Sequence, residues 1–174
     1  GFVIGNHSYN HHSFSDLKLE ECFEEIRRTD EIVDNLYKKA GVKRPAKFFR
    51  FPHGDKGALK NSEAFEPIQK FLIKLGYTQP KFKNMFYRKD GFLDDADWYW
   101  TYDVLEYAIL EEEERQLYGV DSLEKVLLRM DEDVPEGYRG LNYPKSEEII
   151  LTHDMPETTY MFKPIIERLL AKGI

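Results

Sequence analysis

The sequence predicts an α/β protein organised around a parallel sheet. Three observations carry that expectation. Short apolar runs alternate with longer runs whose apolar residues recur at helical spacing. The chain between successive apolar runs is long enough for the crossover helix that parallel neighbours require. At 174 residues, with no internal repeat and no low-complexity linker, residues 1–174 read as one domain able to bury a core.

Taken in order, Phe2-Val3-Ile4 reads as a buried strand running into Gly5-Asn6. Ser15 or Asp16 caps a helix reaching about Lys39, because Leu17, Cys22, Phe23, Ile26, Ile32, Val33 and Leu36 share its spacing; Gly41 stops it. Lys47 to Phe51 is a second short strand, closed by Pro52 and Gly54. Ser62 to Leu75 is a second helix with Phe65, Ile68, Phe71, Leu72 and Leu75 on one face and Gly76 at its end. The aromatic run Asp97 to Val104 reads as a third strand. Helices follow from about Leu105 to Tyr118 and from Ser122 to Met130, with Glu111 to Glu114 as a solvated face. Residues 131–144 read as an irregular loop. Ile149 to Thr152 is the fourth strand and Thr158 to Ala171 the last helix.

Composition narrows the function. Hydrophobic residues make up 41 % and charged residues 33 %, an ordinary soluble mixture. The net charge of -7 argues against nucleic acid as the main partner, since phosphate binding needs a basic surface, and leaves room for a neutral or cationic polymer. No stretch is apolar enough to span a bilayer, and no secretion signal is present. The first residue, Gly1, reads as mid-element, as in a processed or truncated chain. The single cysteine, Cys22, excludes an intrachain disulfide and reads as an inward-packed helix residue.

Parallel α/β proteins place their chemistry at the carboxyl ends of strands. Each predicted strand here hands over to polar, titratable residues: His7 and His11; Arg50-Phe51-Pro52-His53-Gly54; Asp103; His153-Asp154. Imidazole is the commonest metal ligand near neutral pH. His7 and His11 stand four apart and would share a face if the segment were helical, although a metal site needs at least a third ligand. The plainer alternative is that His7 caps a loop, His11 begins a helix and His12 faces solvent.

The segment GNHSYNH, through His7, Ser8 and His11, resembles the His-Ser/Thr-x-x-His motif of the polysaccharide deacetylases, the NodB-like family of carbohydrate esterases. Arg50-Phe51-Pro52-His53-Gly54 is similar to that family's Arg-x-Pro-x-Gly motif, and Leu151-Thr152-His153-Asp154 to its Leu-x-His-Asp motif. For a fourth motif, acidic and followed by Asp-Trp, two registers compete. Asp103-Val104-Leu105-Glu106-Tyr107 sits at a strand end, whereas Asp94-Asp95-Ala96-Asp97-Trp98 matches the letters better; strand position favours Asp103. The family's opening strand, which ends in Thr-Phe-Asp-Asp, has no counterpart before Gly1, and Phe92-Leu93-Asp94-Asp95 falls in the wrong order to replace it.

The resemblance implies a distorted parallel (β/α) barrel of the polysaccharide deacetylase type, N-terminally incomplete. It implies metal-dependent removal of acetyl groups from an acetylated glycan such as peptidoglycan or chitin. His7 and His11 would hold a divalent ion, Zn²⁺ foremost, with an absent aspartate as third ligand. His153 would be the general acid, Asp103 the carboxylate on its other nitrogen, and Arg50 the group orienting the absent base. The backbone N–H of His53 would face the oxyanion, Gly54 would allow the turn, Leu151 would meet the acetyl methyl, and Tyr107 or Trp98 would stack on sugar rings. Work on a secreted or cell-envelope polymer follows from the same resemblance; the oligomeric state is left open. Alternatives are a non-catalytic carbohydrate-binding protein of the same fold, an inactive fragment of the deacetylase, or another metal hydrolase on a parallel α/β scaffold.

Overall fold

The computed structural model describes residues 2–58, 62–80, 95–132, 141–142 and 147–174. The chain divides into two compact units, Gly1–Lys81 with Tyr87–Tyr99, and Phe82–Phe86 with Trp100–Ile174. Most of the predicted loop at 131–144 and the Phe92–Asp94 segment lie outside the described residues.

The first unit is built on helix α1 (Leu19–Lys39) and helix α2 (Ser62–Lys74). A short turn, Phe14–Asp16, precedes α1, so the helix starts later than Ser15 or Asp16. Glu21 explains the start: its carboxylate accepts the Lys18 N–H at 2.8 Å, satisfying a backbone donor at the helix entry. The buried stripe of α1 is Cys22, Glu25, Ile26, Asp30 and Val33, while Ile32 and Leu36, expected inward, are exposed. Phe14, Phe49 and Phe51 meet edge to face, with centroids 4.8 to 6.0 Å apart, and pack with Ile26, Ile68 and Leu72. Burying each such aliphatic side chain stabilises the fold by about 1.5–3 kcal/mol.

Parallel pairing in this unit is brief. Asn6 bridges Phe49, with Asn6 N–H on the Phe48 carbonyl at 2.8 Å and Arg50 N–H on the Asn6 carbonyl at 3.1 Å. Trp98 N–H donates to the Phe49 carbonyl at 3.0 Å. The expectation of a buried strand at Phe2-Val3-Ile4 is corrected: all three are exposed, Phe2 completely. An apolar run is buried only where neighbours cover it, and among the described residues the ladder begins at Asn6.

In the second unit, strand β1 (Tyr102–Asp103) runs parallel to strand β2 (Ile150–Leu151), pairing Tyr102 with Ile150 and Asp103 with Leu151. Around them lie helices α3 (Glu112–Tyr118), α4 (Leu123–Arg129) and α5 (Thr159–Ala171). The predicted helix from Leu105 to Tyr118 is two pieces, a turn at Glu106–Ile109 and then α3. Glu111 is extended, and Glu112, Glu113 and Glu114 form the first turn of α3, where acidic side chains oppose the positive end of the helix dipole. Val104, Leu105, Val126, Met130, Met161 and Ile165 form this unit's core. No helix among the described residues is long and apolar enough to cross a membrane. Closure into a barrel is not shown by these pairings.

Candidate active site

The segment after the Asn6 bridge is a tight loop rather than the helical turn that would have put His7 and His11 on one face. Ser8 and His11 both take left-handed backbone angles, φ 65° and 60°, which non-glycine residues adopt only when their surroundings impose them. Those surroundings are visible. The Asn6 side chain is buried; its amide donates to the Ile26 carbonyl at 2.8 Å and the Tyr77 hydroxyl at 2.7 Å, and its Oδ1 accepts the Ser8 N–H at 3.0 Å. Ser8 Oγ accepts the His11 N–H at 3.0 Å. The Tyr77 hydroxyl donates to Asp30, which also pairs with Arg44 and Lys47. Burial and the Asp30 carboxylate push the Tyr77 phenol well above its usual range.

The loop folds His11 back onto His7. Their Nε2 atoms are 3.1 Å apart, and the rings meet at 74°. His7 Nδ1 lies 2.7 Å from the Arg50 carbonyl, an acceptor only, so Nδ1 carries the proton and Nε2 presents its lone pair. His53 is exposed, and its ring lies 4.7 Å from that of His11, centroid to centroid. His12 is exposed, as the sequence suggests. Among the described residues no group of three or more His, Cys, Asp or Glu side chains is placed to hold a metal ion.

The second motif forms a turn at Pro52–Gly54. His53 (φ 55°) and Gly54 (φ 65°) are both left-handed, which explains the glycine. The Arg50 guanidinium lies over the Trp98 ring, 5.5 Å from its centroid. Asp97 beside it is buried, accepts from Gln69 at 2.7 Å and pairs with Lys56 at 3.1 Å; burial pushes its carboxyl up despite the lysine. Asp97-Trp98 therefore stands with Arg50 in the first unit, the register that strand position had disfavoured; Asp94 lies outside the described residues.

His153 follows β2 in the second unit, and its carboxylate partner is not the expected Asp103. His153 Nδ1 donates to Glu106 Oε1 at 3.0 Å, and the same oxygen accepts the His153 backbone N–H. Asp103 instead accepts the Leu105 N–H at 3.0 Å and the Tyr107 hydroxyl at 3.3 Å. The reason is a left-handed Leu105, φ 60°, which turns the chain after β1 so that Glu106 is the carboxylate delivered to the histidine. Glu106 is almost fully buried, and among the described residues its Oε2 makes no hydrogen bond. The Tyr107 ring packs edge-on against His153, 4.8 Å between centroids; burial and Asp103 push its phenol far up. Leu151 is buried on β2.

Residues 1–78 match the family described as polysaccharide deacetylase. The deacetylase match covers His7, Ser8, His11 and Arg50 to Gly54 and stops short of Asp103 and His153. Among solved structures, the chain is similar to a family 4 carbohydrate esterase from Streptomyces lividans in complex with acetate, with a TM-score of 0.55 and 20% identity. That likeness covers 98% of this chain and 62% of the esterase, and it shows a fold shared with that esterase beyond residues 1–78. No curated protein sequence matches the chain.

Sequence reasoning missed Glu25, Glu106, Asn6 and Tyr77. A signal existed for the first: Glu25 and Asp30 fall on the apolar stripe of α1, where an uncompensated charge is costly and therefore informative.

Proposed function

We propose that this chain provides the site of a metal-dependent hydrolase that removes acetyl groups from an acetylated polysaccharide of the N-acetylglucosamine type. One observation carries the reading: two imidazole Nε2 atoms 3.1 Å apart, one of them with its tautomer set by a backbone carbonyl, in the loop that bears the family motif. Two neutral imidazoles fit two positions around a borderline cation such as Zn²⁺. Such an ion, when bound, supplies Lewis acidity toward the acetyl carbonyl. His153, with Nδ1–H held by Glu106, is the proton donor to the leaving nitrogen through Nε2. Arg50 orients the carboxylate base, the His53 N–H faces the developing oxyanion, and Leu151 and Tyr107 meet acetyl and sugar. The third ligand and the base, both aspartates by resemblance, and the barrel itself belong to this proposal, as does action on a cell-envelope or secreted polymer.

The test is acetate release from an acetylated chito-oligosaccharide, with and without a chelator. Chelator-sensitive release that His7→Ala and His153→Ala abolish is the expected result. Binding of the oligosaccharide without any turnover overturns it in favour of a non-catalytic carbohydrate-binding protein.

A further inference from the structure

The backbone N–H groups of the two residues between Ser8 and His11 are held by a single side chain of α1. Glu25 lies on the buried stripe beside Cys22 and Ile26 and is 7% exposed. Its Oε2 accepts the Tyr9 N–H at 3.0 Å and the Asn10 N–H at 2.6 Å, and its Oε1 accepts the Asn10 side-chain amide. Three residues along the same helix, the Arg28 guanidinium covers the Tyr9 ring, 3.6 Å from its centroid. Residues three apart on a helix present a common face, so one patch of α1 meets the loop through both side chains.

The chemistry of the grip is specific. Three N–H donors converge on Glu25, and only an acceptor-only group satisfies all three; a glutamine would turn its own NH₂ toward one of them. The loop also needs an external hold, because Ser8 and His11 are both left-handed without being glycine. Asn6 and Ser8 secure its ends, and Glu25 secures its middle.

We propose that Glu25 is a positioning residue for the imidazole pair: its carboxylate templates the loop so that His11 Nε2 returns to His7 Nε2. Its consequence for divalent-cation binding rests on the deacetylase reading; its effect on the ring geometry does not.

The test compares the full 174-residue chain with Glu25→Gln, with Asn10→Ala, which removes one exposed donor, and with Glu24→Gln as a surface control. Two quantities are read on protein shown to be folded by circular dichroism and cooperative melting. One is the ring-to-ring NMR contact between His7 and His11 with the ¹⁵N tautomer of His7; the other is Zn²⁺ affinity by calorimetry. Glu25→Gln is expected to lose the ring contact and to weaken zinc by about tenfold or more, Asn10→Ala to weaken zinc less, and Glu24→Gln to change neither. Folded Glu25→Gln with ring contact and zinc affinity intact overturns the proposal. If Glu25→Gln does not fold, Glu25→Asp, whose shorter side chain cannot keep all three bonds, is read instead, and an unchanged ring contact there overturns the proposal. If the unaltered chain takes up no zinc, the metal reading fails, and the ring contact still decides the role of Glu25.

Discussion

Four residues other than glycine adopt left-handed backbone angles among the described residues: Ser8, His11, His53 and Leu105. Each lies in a loop that bears a predicted site residue, and each conformation costs on the order of 1–3 kcal/mol that surrounding contacts must offset. Asn6 is one such contact. Asn6→Ala removes the amide that donates to the Ile26 carbonyl and the Tyr77 hydroxyl and the oxygen that accepts the Ser8 N–H, and a loss of about 3 kcal/mol in urea unfolding is expected. At the other loop, Glu106→Ala removes the acceptor from His153 Nδ1. In an acetate-release assay it is expected to lower kcat about 10²-fold with little change in KM, and Asp103→Asn to lower it less. The motif histidines were legible as letters because their chemistry is local. Glu106 was not, because its selection over Asp103 depends on the backbone angle of Leu105, an aliphatic residue whose type gives no hint of a left-handed turn.

At the level of elements, the helices were read well where one apolar stripe decides them. α1, α2, α4 and α5 lie within a few residues of the predicted bounds. The strands were read as positions rather than lengths: the parallel pairs form at Asn6 with Phe49 and at β1 with β2, each shorter than its apolar run. Apolar content marks burial, whereas ladder length depends on which neighbour is present, and composition does not carry that. Cys22 shows an element setting the chemistry of a residue. Burial in the stripe of α1 pushes its thiol up to about 11, although its own backbone hydrogen bond works the other way. Cys22 is therefore expected to be inert to a thiol-disulfide reagent at pH 8 in the folded protein. It should react fully once guanidinium unfolds the chain; rapid modification of folded protein would contradict this.

For the molecule as a whole, the net charge of -7 conceals carboxylates that work in opposite senses. Burial would raise Asp30 and Asp55, but hydrogen bonds outweigh it and hold both below the usual carboxylate value. Lys47, Tyr77 and Arg44 act on Asp30; Ser13, Ser15 and Gly57 act on Asp55. A lowered folded-state pKa contributes stability that is fully present above the ordinary carboxylate value and is lost as pH falls through the lowered one. Asp97, raised by burial, acts in reverse: its contribution is full below the ordinary value and is lost as pH rises through the raised one. The expected melting temperature therefore falls as pH drops below about 4. Asp55→Asn should melt lower than the parent at neutral pH and lose less on acidification. An identical pH profile for parent and variant would show that Asp55 is not part of this balance.

The atom that fixes the tautomer of His7 is the main-chain oxygen of Arg50, not its guanidinium. Genetics can therefore separate two duties of one position. Arg50→Ala or Arg50→Lys strips or alters the charge over Trp98 while the peptide oxygen still receives the His7 proton. Weakening the main-chain oxygen as an acceptor takes an ester in place of the following amide or a shift of the whole segment, so a library randomised at codon 50 samples electrostatics without disturbing the imidazole.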